Sequence, residues 1–266
     1  MTQPLVPPID RPVDLAEYDP DYTGDLDKDQ AKDEIETLRQ RLDELQNLLY
    51  ADRRYAVLVV FQGIDTSGKD STINSVFQVA GPIGCSVVSF GPPNDEDLAH
   101  DYLWRYHRHM PRRGNITVFN RSHYEAVLAE RVRGIVPPEV WRRRYDEINA
   151  FERYLAAQGT VILKFFLHIS REEQRERLQE RIDTPRKRWK FNRADLEERR
   201  RWDDYQAAYA DMLTFCNTRE APWFIVPANR KWARDVFVAR ALVERLERLG
   251  LRYPEPEADI EGLVVE

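Results

Sequence analysis

A strand, loop and helix motif between residues 57 and 71 constrains this chain more than any other feature. Five apolar or aromatic residues and Gln62 precede Gly63-Ile64-Asp65-Thr66-Ser67-Gly68-Lys69-Asp70-Ser71. The spacing of Gly63, Gly68 and Lys69 fits a turn whose backbone N–H groups surround phosphate oxygens while the lysine adds positive charge. We therefore predict a phosphate-binding loop in which Gly63 and the six residues from Thr66 to Ser71 contact phosphate.

The loop departs from the usual P-loop pattern at two positions. Asp70 stands where P-loop NTPases carry the Ser or Thr that binds Mg²⁺, and Asp65 adds a carboxylate within the loop. These changes weaken the prediction of a plain ATPase. A glycine turn without any ligand is the alternative interpretation, and the preceding apolar strand and following helical pattern argue against it.

Composition limits the classes of protein that the chain can belong to. The 266 residues, 42% hydrophobic and 11% aromatic, suit one globular α/β domain with terminal extensions. A net charge of −6 with 32% charged residues means that anion sites must come from local clusters, and general nucleic-acid binding is not expected. Cys85 and Cys216 lack the spacing of a metal or redox pair. No apolar run approaches the roughly 20 residues of a membrane span and no signal-peptide pattern is present, which predicts a cytoplasmic protein.

Strand and helix patterns alternate from residue 55 onward, which is typical of a mostly parallel sheet covered by helices. The strand candidates are mostly apolar throughout, as strands buried on both faces are. They are Tyr55–Phe61, Cys85–Phe90, Asn115–Asn120, Val161–Ile169 and Trp223–Val226. The longest helical segments are Pro138–Ala157, Ser170–Ile182, Ala194–Asn217 and Lys231–Gly250.

The two ends of the chain differ in composition from this α/β region. Residues 1–28 are rich in proline and aspartate and predict an extended arm. Residues 29–50 carry leucine and isoleucine at helical spacing, so an amphipathic helix packs either on the chain's own fold or on a partner subunit. The last residues, 255–266, read as an acidic surface tail. We predict an N-terminal unit at 1–50, a phosphotransferase domain at 51–254 and this tail.

Ligands of open α/β sheets bind beyond the carboxyl ends of the strands, so the segments that directly follow the strands are candidates for the binding site. Pro93 and Asn94 follow the second strand, and Asn120-Arg121-Ser122-His123-Tyr124-Glu125 follows the third. Asn120 can order metal-bound water, and Arg121 either opposes phosphate charge or pairs with a nearby acid. We assign nucleotide contacts to Pro93, Asn94, His123 and Glu125, with helix capping or packing as the alternative for His123.

Residues 184–193 form a concentrated cationic segment. Five of the ten are basic and none is acidic; the basic residues are Arg186, Lys187, Arg188, Lys190 and Arg193. Pro185 ends the preceding helix, so the segment fits a lid at about 183–205 that closes over phosphates. A solvated charged turn is the alternative.

Over residues 29–254 the chain resembles the polyphosphate kinase 2 family, P-loop phosphotransferases with a thymidylate-kinase-like fold. The resemblance is carried by residues 63–70, by residues 120–125, and by the basic lid with the helix of residues 199–205 behind it. It implies a three-layer α/β/α fold with a five-stranded, mostly parallel sheet and a helical lid. It also implies reversible phosphoryl transfer between inorganic polyphosphate and nucleotides, with Mg²⁺ as the cofactor and Mn²⁺ as an alternative ion.

The same resemblance implies a role for individual residues. Asp65 would hold the metal, with Asn120 acting through water, Lys69 would bind the transferred phosphate and Arg121 would oppose the developing charge. The lid cations Arg186, Lys187, Arg188 and Lys190 would bind polyphosphate or nucleotide phosphates. Asn120 resembles the subgroup that accepts both AMP and ADP, with guanine nucleotides as further candidates. A homo-oligomer, dimer or tetramer, is expected.

Two other functions fit parts of the sequence. An ATP-dependent nucleoside or nucleotide kinase would share the sheet and the lid. A single-stranded nucleic-acid-binding module would use Trp189 and Phe191 as stacking aromatics, but it leaves Asp65, Lys69 and Asp70 without a purpose. Clustered lid cations and the further arginines 105, 108, 112 and 113 favour a long anionic polymer as the phosphoryl donor.

Overall fold

The computed structural model describes residues 6–81 and 83–257. Within these residues the strands are β1 Ala56–Gln62, β2 Cys85–Ser89, β3 Ile116–Asn120, β4 Thr160–His168 and β5 Trp223–Pro227. The α-helices are α1 Lys28–Asp52, α2 Lys69–Val76, α3 Asp95–Leu98, α4 Trp104–His107, α5 Ala129–Val132, α6 Pro138–Ala157, α7 Arg171–Asp183, α8 Ala194–Arg200, α9 Trp202–Phe215 and α10 Lys231–Glu247. Short 3₁₀ turns occupy Leu15–Glu17, His123–Ala126 and Pro185–Lys190.

The five strands form one parallel sheet in the order β2-β3-β1-β4-β5. Strand β1 is central and β4 lies beside it, and both are buried along their whole length, because helices cover both faces of the sheet. Each predicted strand boundary lies within one residue of the observed one. The predicted α/β class with a five-stranded parallel sheet is confirmed.

The helices form two groups on the two sides of the sheet. Helix α10 contacts both α1 and α2 in one group, and α5 contacts both α6 and α9 in the other. The apolar stripe of α1, with Leu42 and Leu49 fully buried, packs against α10 of the same chain. Of the two alternatives for this helix, packing within its own chain is therefore observed.

Two predicted helices are shorter than expected. The segment 194–217 divides into α8 and α9, because the backbone of Arg201 (φ −92°, ψ 24°) leaves the helical region between them. The Arg201 side chain donates to the Val132 carbonyl at 2.8 Å. The last helix ends at Glu247, three residues before Gly250, whose φ of +56° cannot continue a right-handed helix.

The part of the N-terminal arm that the structure describes lies along the α/β core. Val13 and Leu15 are buried, and the Val13 N–H donates to Thr214 Oγ1 at 2.9 Å. The predicted domain boundary at residues 50 and 51 falls inside α1, and the three-unit division stays a prediction. Residues 1–5 of the arm and 258–266 of the acidic tail lie outside the described residues. None of the described helices is long and apolar enough to cross a bilayer.

Arg177 of α7 connects the phosphate loop after β1 to the segment after β5. Its side chain is 7% exposed, and its two terminal nitrogens donate to the carbonyls of Thr66, Ser67, Ala228 and Asn229 at 2.6–3.2 Å. Burial lowers the pKa of Arg177, although the side chain also bonds Glu173. The loop after β1 and the segment after β5 are thus held by one guanidinium.

Replacing Arg177 with methionine tests this connection. Arg177→Met keeps most of the side-chain volume but leaves four carbonyls without their donor, so we expect a loss of about 2–4 kcal/mol in the free energy of unfolding. Urea denaturation followed by circular dichroism measures it. Arg175→Met on the same helix is the matched control, since Arg175 is exposed and bonds only Glu172 among the contacts seen here. Equal stability of the two variants would contradict the role assigned to Arg177.

Candidate active site

The phosphate loop begins where β1 ends, and two glycines give it its shape. Gly63 has φ +150°, and a Cβ there would lie 2.8 Å from the Leu167 carbonyl oxygen. Gly68 has φ +103°, and a Cβ there would lie 2.1 Å from Nη1 of the buried Arg234. Both backbone conformations favour glycine, and at Gly63 the close approach of a backbone carbonyl does so as well. The predicted spacing of the two glycines therefore reflects packing beneath the loop as well as its turn.

Lys69, the first residue of α2, folds back over the loop. Its Nζ donates to the Gly63 carbonyl at 2.6 Å and to the Ile64 carbonyl at 3.3 Å. Burial, and then the charge of Arg121, lower the pKa of Lys69 to about 8. The hydroxyls of Thr66 and Ser67 are buried and lack a hydrogen-bond partner within the described part of the chain. The two hydroxyls are enclosed by protein, whereas Lys69 is held by neutral carbonyls that a phosphate oxygen can replace.

Arg121 links the segment after β3 to the phosphate loop. Its guanidinium bonds the Asp65 carboxylate through Nη2 and the Glu125 carboxylate through Nη1, the latter at 3.3 Å. Glu125 raises the pKa of Arg121 against the opposing effect of burial. Burial acts to raise the pKa of Asp65, but Arg121 and Lys69 outweigh it and hold that pKa below its usual value. Both partners of the pair are therefore charged at neutral pH.

The backbone of Arg121 is left-handed, with φ +63°. A residue other than glycine pays roughly 1–3 kcal/mol for such a conformation, and it persists where the surrounding contacts determine it. The Arg121 N–H donates to the Phe61 carbonyl at 3.1 Å, one residue beyond the last β1–β3 register pair. This turn carries the guanidinium across the end of β1 toward Asp65.

Asp70 and Asn120 form a second contact between the same two segments. Asn120 Nδ2 donates to Asp70 Oδ1 at 2.5 Å, and within residues 6–81 and 83–257 no hydrogen bond is seen to the Asn120 side-chain oxygen, which can accept or ligate. The described residues contain no group of three or more His, Cys, Asp or Glu side chains arranged to hold a metal alone. Asp65, Asp70 and the Asn120 oxygen are nevertheless the donor type of Mg²⁺, which commonly takes one or two carboxylates and completes its shell with substrate phosphates and water.

Asp65, Asp70 and Asn120 line a cleft of about 1120 Å³, and residues of the lid line it as well. The lining side chains are Asp65, Asp70, Ile73, Asn74, Val87, Ser89, Asn120, Arg181, Trp189, Lys190, Phe191, Asn192, Arg193 and Asp195. Lys190 and Arg193 of the lid and Asp65 and Asp70 of the loop thus line the same cleft. The arrangement suits a ligand that carries several negative charges and a metal ion.

The lid turns only some of its predicted cations toward this cleft. Lys190 and Arg193 line it, whereas Arg186, Lys187 and Arg188 do not. Lys187 bonds Glu180 and Arg188 donates to the Ile182 carbonyl. Both contacts run to residues of α7, so these two side chains are held against that helix.

Three predicted nucleotide contacts lie away from the cleft lining. Asn94 and Asp97 cap α3 reciprocally, at 2.8 and 3.0 Å, and Pro93 precedes that cap. His123 has no exposed surface and bonds Glu152 in the interior. The structure corrects the prediction for His123, because a nucleotide cannot touch a side chain with no accessible surface. Glu125 reaches the site through its bond to Arg121.

Sequence patterns did not indicate four charged residues that the fold brings to the site. Arg181 and Asp195 pair at 3.3 Å and both line the cleft. Arg177 and Arg234 lie beneath the loop, and Arg234 Nη1 has no partner among the described residues. All four come from helices that follow later strands, so only the tertiary fold shows their proximity to residues 63–70.

Comparison with known proteins agrees with this geometry. The sequence profile of the polyphosphate kinase 2 family matches residues 25–252. The chain is 51% identical to an AMP/ADP-polyphosphate phosphotransferase of Meiothermus ruber over 95% of its own length and 96% of the relative's. It is 44% identical to an ADP-polyphosphate phosphotransferase of Rhodopseudomonas palustris over 91% and 89% of the two chains.

A solved structure matches the fold over nearly the whole chain. The crystal structure of polyphosphate kinase 2 from Arthrobacter aurescens TC1 superposes with a TM-score of 0.91 at 39% sequence identity. The match covers 94% of this chain and 90% of that one. With the family profile spanning most of the chain and relatives similar along its length, the protein belongs to the polyphosphate kinase 2 family.

Proposed function

We propose that the protein transfers a phosphoryl group between inorganic polyphosphate and the adenine nucleotides AMP and ADP, reversibly and with Mg²⁺. The observation that carries the proposal is the cleft itself, in which lid cations face Asp65, Asp70 and Asn120 beside the phosphate loop. The relative from Meiothermus ruber, whose name includes both AMP and ADP, supports the choice of acceptors. Guanine acceptors, a homo-oligomeric state and a cytoplasmic location stay predictions.

In the proposed reaction the donor phosphate occupies the loop. An incoming phosphate takes over Lys69 from the Gly63 and Ile64 carbonyls. An anionic oxygen of the nucleotide phosphate forms a bond to the terminal phosphorus while the phosphoanhydride P–O bond of the donor breaks, and the shortened polyphosphate leaves as an anion with the bonding electron pair. The acceptor oxygen is already deprotonated, so the step depends on positioning and charge stabilisation and needs no general base.

Arg121 and the lid supply the positive charge around the transferred group. Arg121 sits between Asp65 and Glu125, which fix its direction before substrate arrives. Asp65, Asp70 and Asn120 would hold Mg²⁺, which neutralises phosphate charge when bound. Arg181, Lys190 and Arg193 would contact the polyphosphate or the nucleotide phosphates and help exclude water.

Product analysis without added ATP tests the proposed donor and acceptors together. Purified protein, Mg²⁺ and long-chain polyphosphate are mixed with AMP in one tube and ADP in another, and nucleotides are separated by ion-exchange chromatography. We expect ADP and ATP from AMP, and ATP from ADP. Product in only one of the two tubes would show that the protein accepts only that nucleotide. Turnover of AMP only after ATP is added would replace the proposal with an ATP-dependent nucleotide kinase.

Neutralising the two charged groups of the loop tests the assigned roles. Lys69→Met and Asp65→Asn each remove charge that acts on the transferred group or its metal, so we expect kcat to fall by about 10²–10³-fold. Initial rates of ADP formation from polyphosphate and AMP measure the loss. Thermal unfolding shows whether the fold survives. Lys32→Met and Asp43→Asn on α1, far from the loop in sequence, should keep full activity; full activity in Lys69→Met would remove Lys69 from the site.

The Asp70–Asn120 contact predicts how substitution of Asn120 changes the affinity of the protein for Mg²⁺. Asn120→Asp places a second carboxylate beside Asp70, where a divalent cation relieves the repulsion between them, so we expect Mg²⁺ affinity to rise by roughly tenfold. Isothermal titration calorimetry of the nucleotide-free protein with Mg²⁺ measures it without relying on turnover. Asn192→Asp is the control, because it adds the same charge to the cleft lining and an aspartate keeps its capping contact to Ala194. Equal gains in both variants would refute a specific site at Asn120.

A further inference from the structure

A cluster of polar side chains is buried beside the segment that carries Arg121, and the proposed reaction does not use it. Its members are His123 and Tyr124, in the 3₁₀ turn that follows Arg121, with Glu152 of α6 and Lys164 of β4. Each side chain is at most 1% exposed. Lys164 and Glu152 form an ion pair in the core, which is uncommon because removing two charges from water is costly.

The cluster is almost completely hydrogen-bonded. Lys164 Nζ donates to Glu152 Oε2 at 2.6 Å, to Tyr124 Oη at 2.7 Å and to the Cys216 carbonyl at 2.8 Å, which uses all three of its donors. Tyr124 Oη donates in turn to Glu152 Oε1 at 2.8 Å, and His123 Nε2 lies 3.1 Å from the same oxygen. Glu152 is therefore the hub that ties two consecutive residues of the 3₁₀ turn to β4 and α6.

Stability alone does not account for such a pair. Well-packed apolar side chains of similar volume serve as well or better in many cores, because the cost of removing two charges from water offsets their attraction. Apolar packing, however, tolerates small shifts, whereas a network of bonds at 2.6–3.1 Å permits one arrangement. The distinctive contribution of the cluster is geometric.

The residue in need of geometric support is Arg121. Its left-handed backbone, φ +63°, is anchored on one side by the bond from its N–H to the Phe61 carbonyl. On the other side the chain continues through Ser122 to the two residues held by Glu152 and Lys164. Glu125, which bonds the Arg121 guanidinium, belongs to the same turn.

We infer that Tyr124, Glu152 and Lys164 are positioning residues for phosphoryl transfer, which hold the 3₁₀ turn so that Arg121 and Glu125 keep their places beside Asp65. His123 is a member of this cluster and has no contact with substrate. The inference rests on the proposed function, since there Arg121 acts on the transferred phosphoryl group.

Two variants loosen the cluster to different degrees. Tyr124→Phe removes one hydroxyl and keeps the ring, and the double variant Glu152→Gln with Lys164→Met removes both charges without leaving one unpaired. We expect each to lower kcat by at least about tenfold, with little change in the KM for AMP or polyphosphate, because misplacing Arg121 affects the transition state more than binding. Tyr145→Phe, on helix α6, is the matched control, because this buried tyrosine also loses one hydroxyl hydrogen bond, the one from Arg131.

A double-mutant cycle with Arg121→Ala decides whether the cluster acts through Arg121. If it does, Tyr124→Phe costs little further activity once Arg121 has been removed, so the two losses do not multiply. Losses that multiply fully would overturn the inference. A Tyr124→Phe enzyme with wild-type kcat would do the same. Should the double variant fail to fold, the cycle with Tyr124→Phe still decides.

Crystal structures of the Tyr124→Phe and double variants give a readout that does not depend on turnover. We expect the backbone of residue 121 to leave the left-handed region or its guanidinium to leave Asp65, and an unchanged Arg121 in both variants would overturn the inference. Wild-type protein that is inactive with polyphosphate would instead refute the proposed function. The crystal structures would still decide the positioning role in that case.

Discussion

Several cationic side chains surround the phosphate loop, and the structure depends on how each is neutralised or held before a ligand arrives. Lys69 and Arg177 donate to backbone carbonyls, whereas Arg121 and Arg234 pair with carboxylates. Without acceptors, such partly or fully buried charges would cost several kcal/mol each. Most of these partners lie in the segments after β1, β3 and β5, and Asp235 lies in α10, so the site and the fold are stabilised by the same contacts.

This arrangement explains why the site suits an anionic substrate. The carbonyls that hold Lys69 are neutral acceptors. A phosphate oxygen can replace them because a charged acceptor forms the stronger hydrogen bond to an ammonium group. Arg121 is held by two carboxylates and keeps its direction. Lys69 can therefore exchange its contacts for a substrate phosphate, whereas Arg121 keeps a fixed position. The first property suits substrate binding, and the second suits stabilisation of the charge that develops during transfer.

Local signals in the sequence predicted much of the fold. Strands β1 and β4 are apolar throughout because both faces are buried, and Gly63 and Gly68 mark backbone conformations that other residues adopt at a cost. The residues after each strand were found because parallel strands end at one edge, and the lid was found from its cluster of basic residues after Pro185. Periodicity could not show the break at Arg201, where one side-chain bond to Val132 accompanies the local change of backbone.

The sequence by itself determined the parallel sheet, the phosphate loop and the family resemblance, because each depends on neighbouring residues or on short spacings. Only the tertiary structure decided which charges meet. Arg177 and Thr66 are 111 positions apart, and Lys164 and Tyr124 are 40 apart. It also decided that His123 points into the core and that only Lys190 and Arg193 of the lid cations line the cleft. The direction of a side chain follows from packing and backbone rotation at its own position, and residue type alone does not specify either.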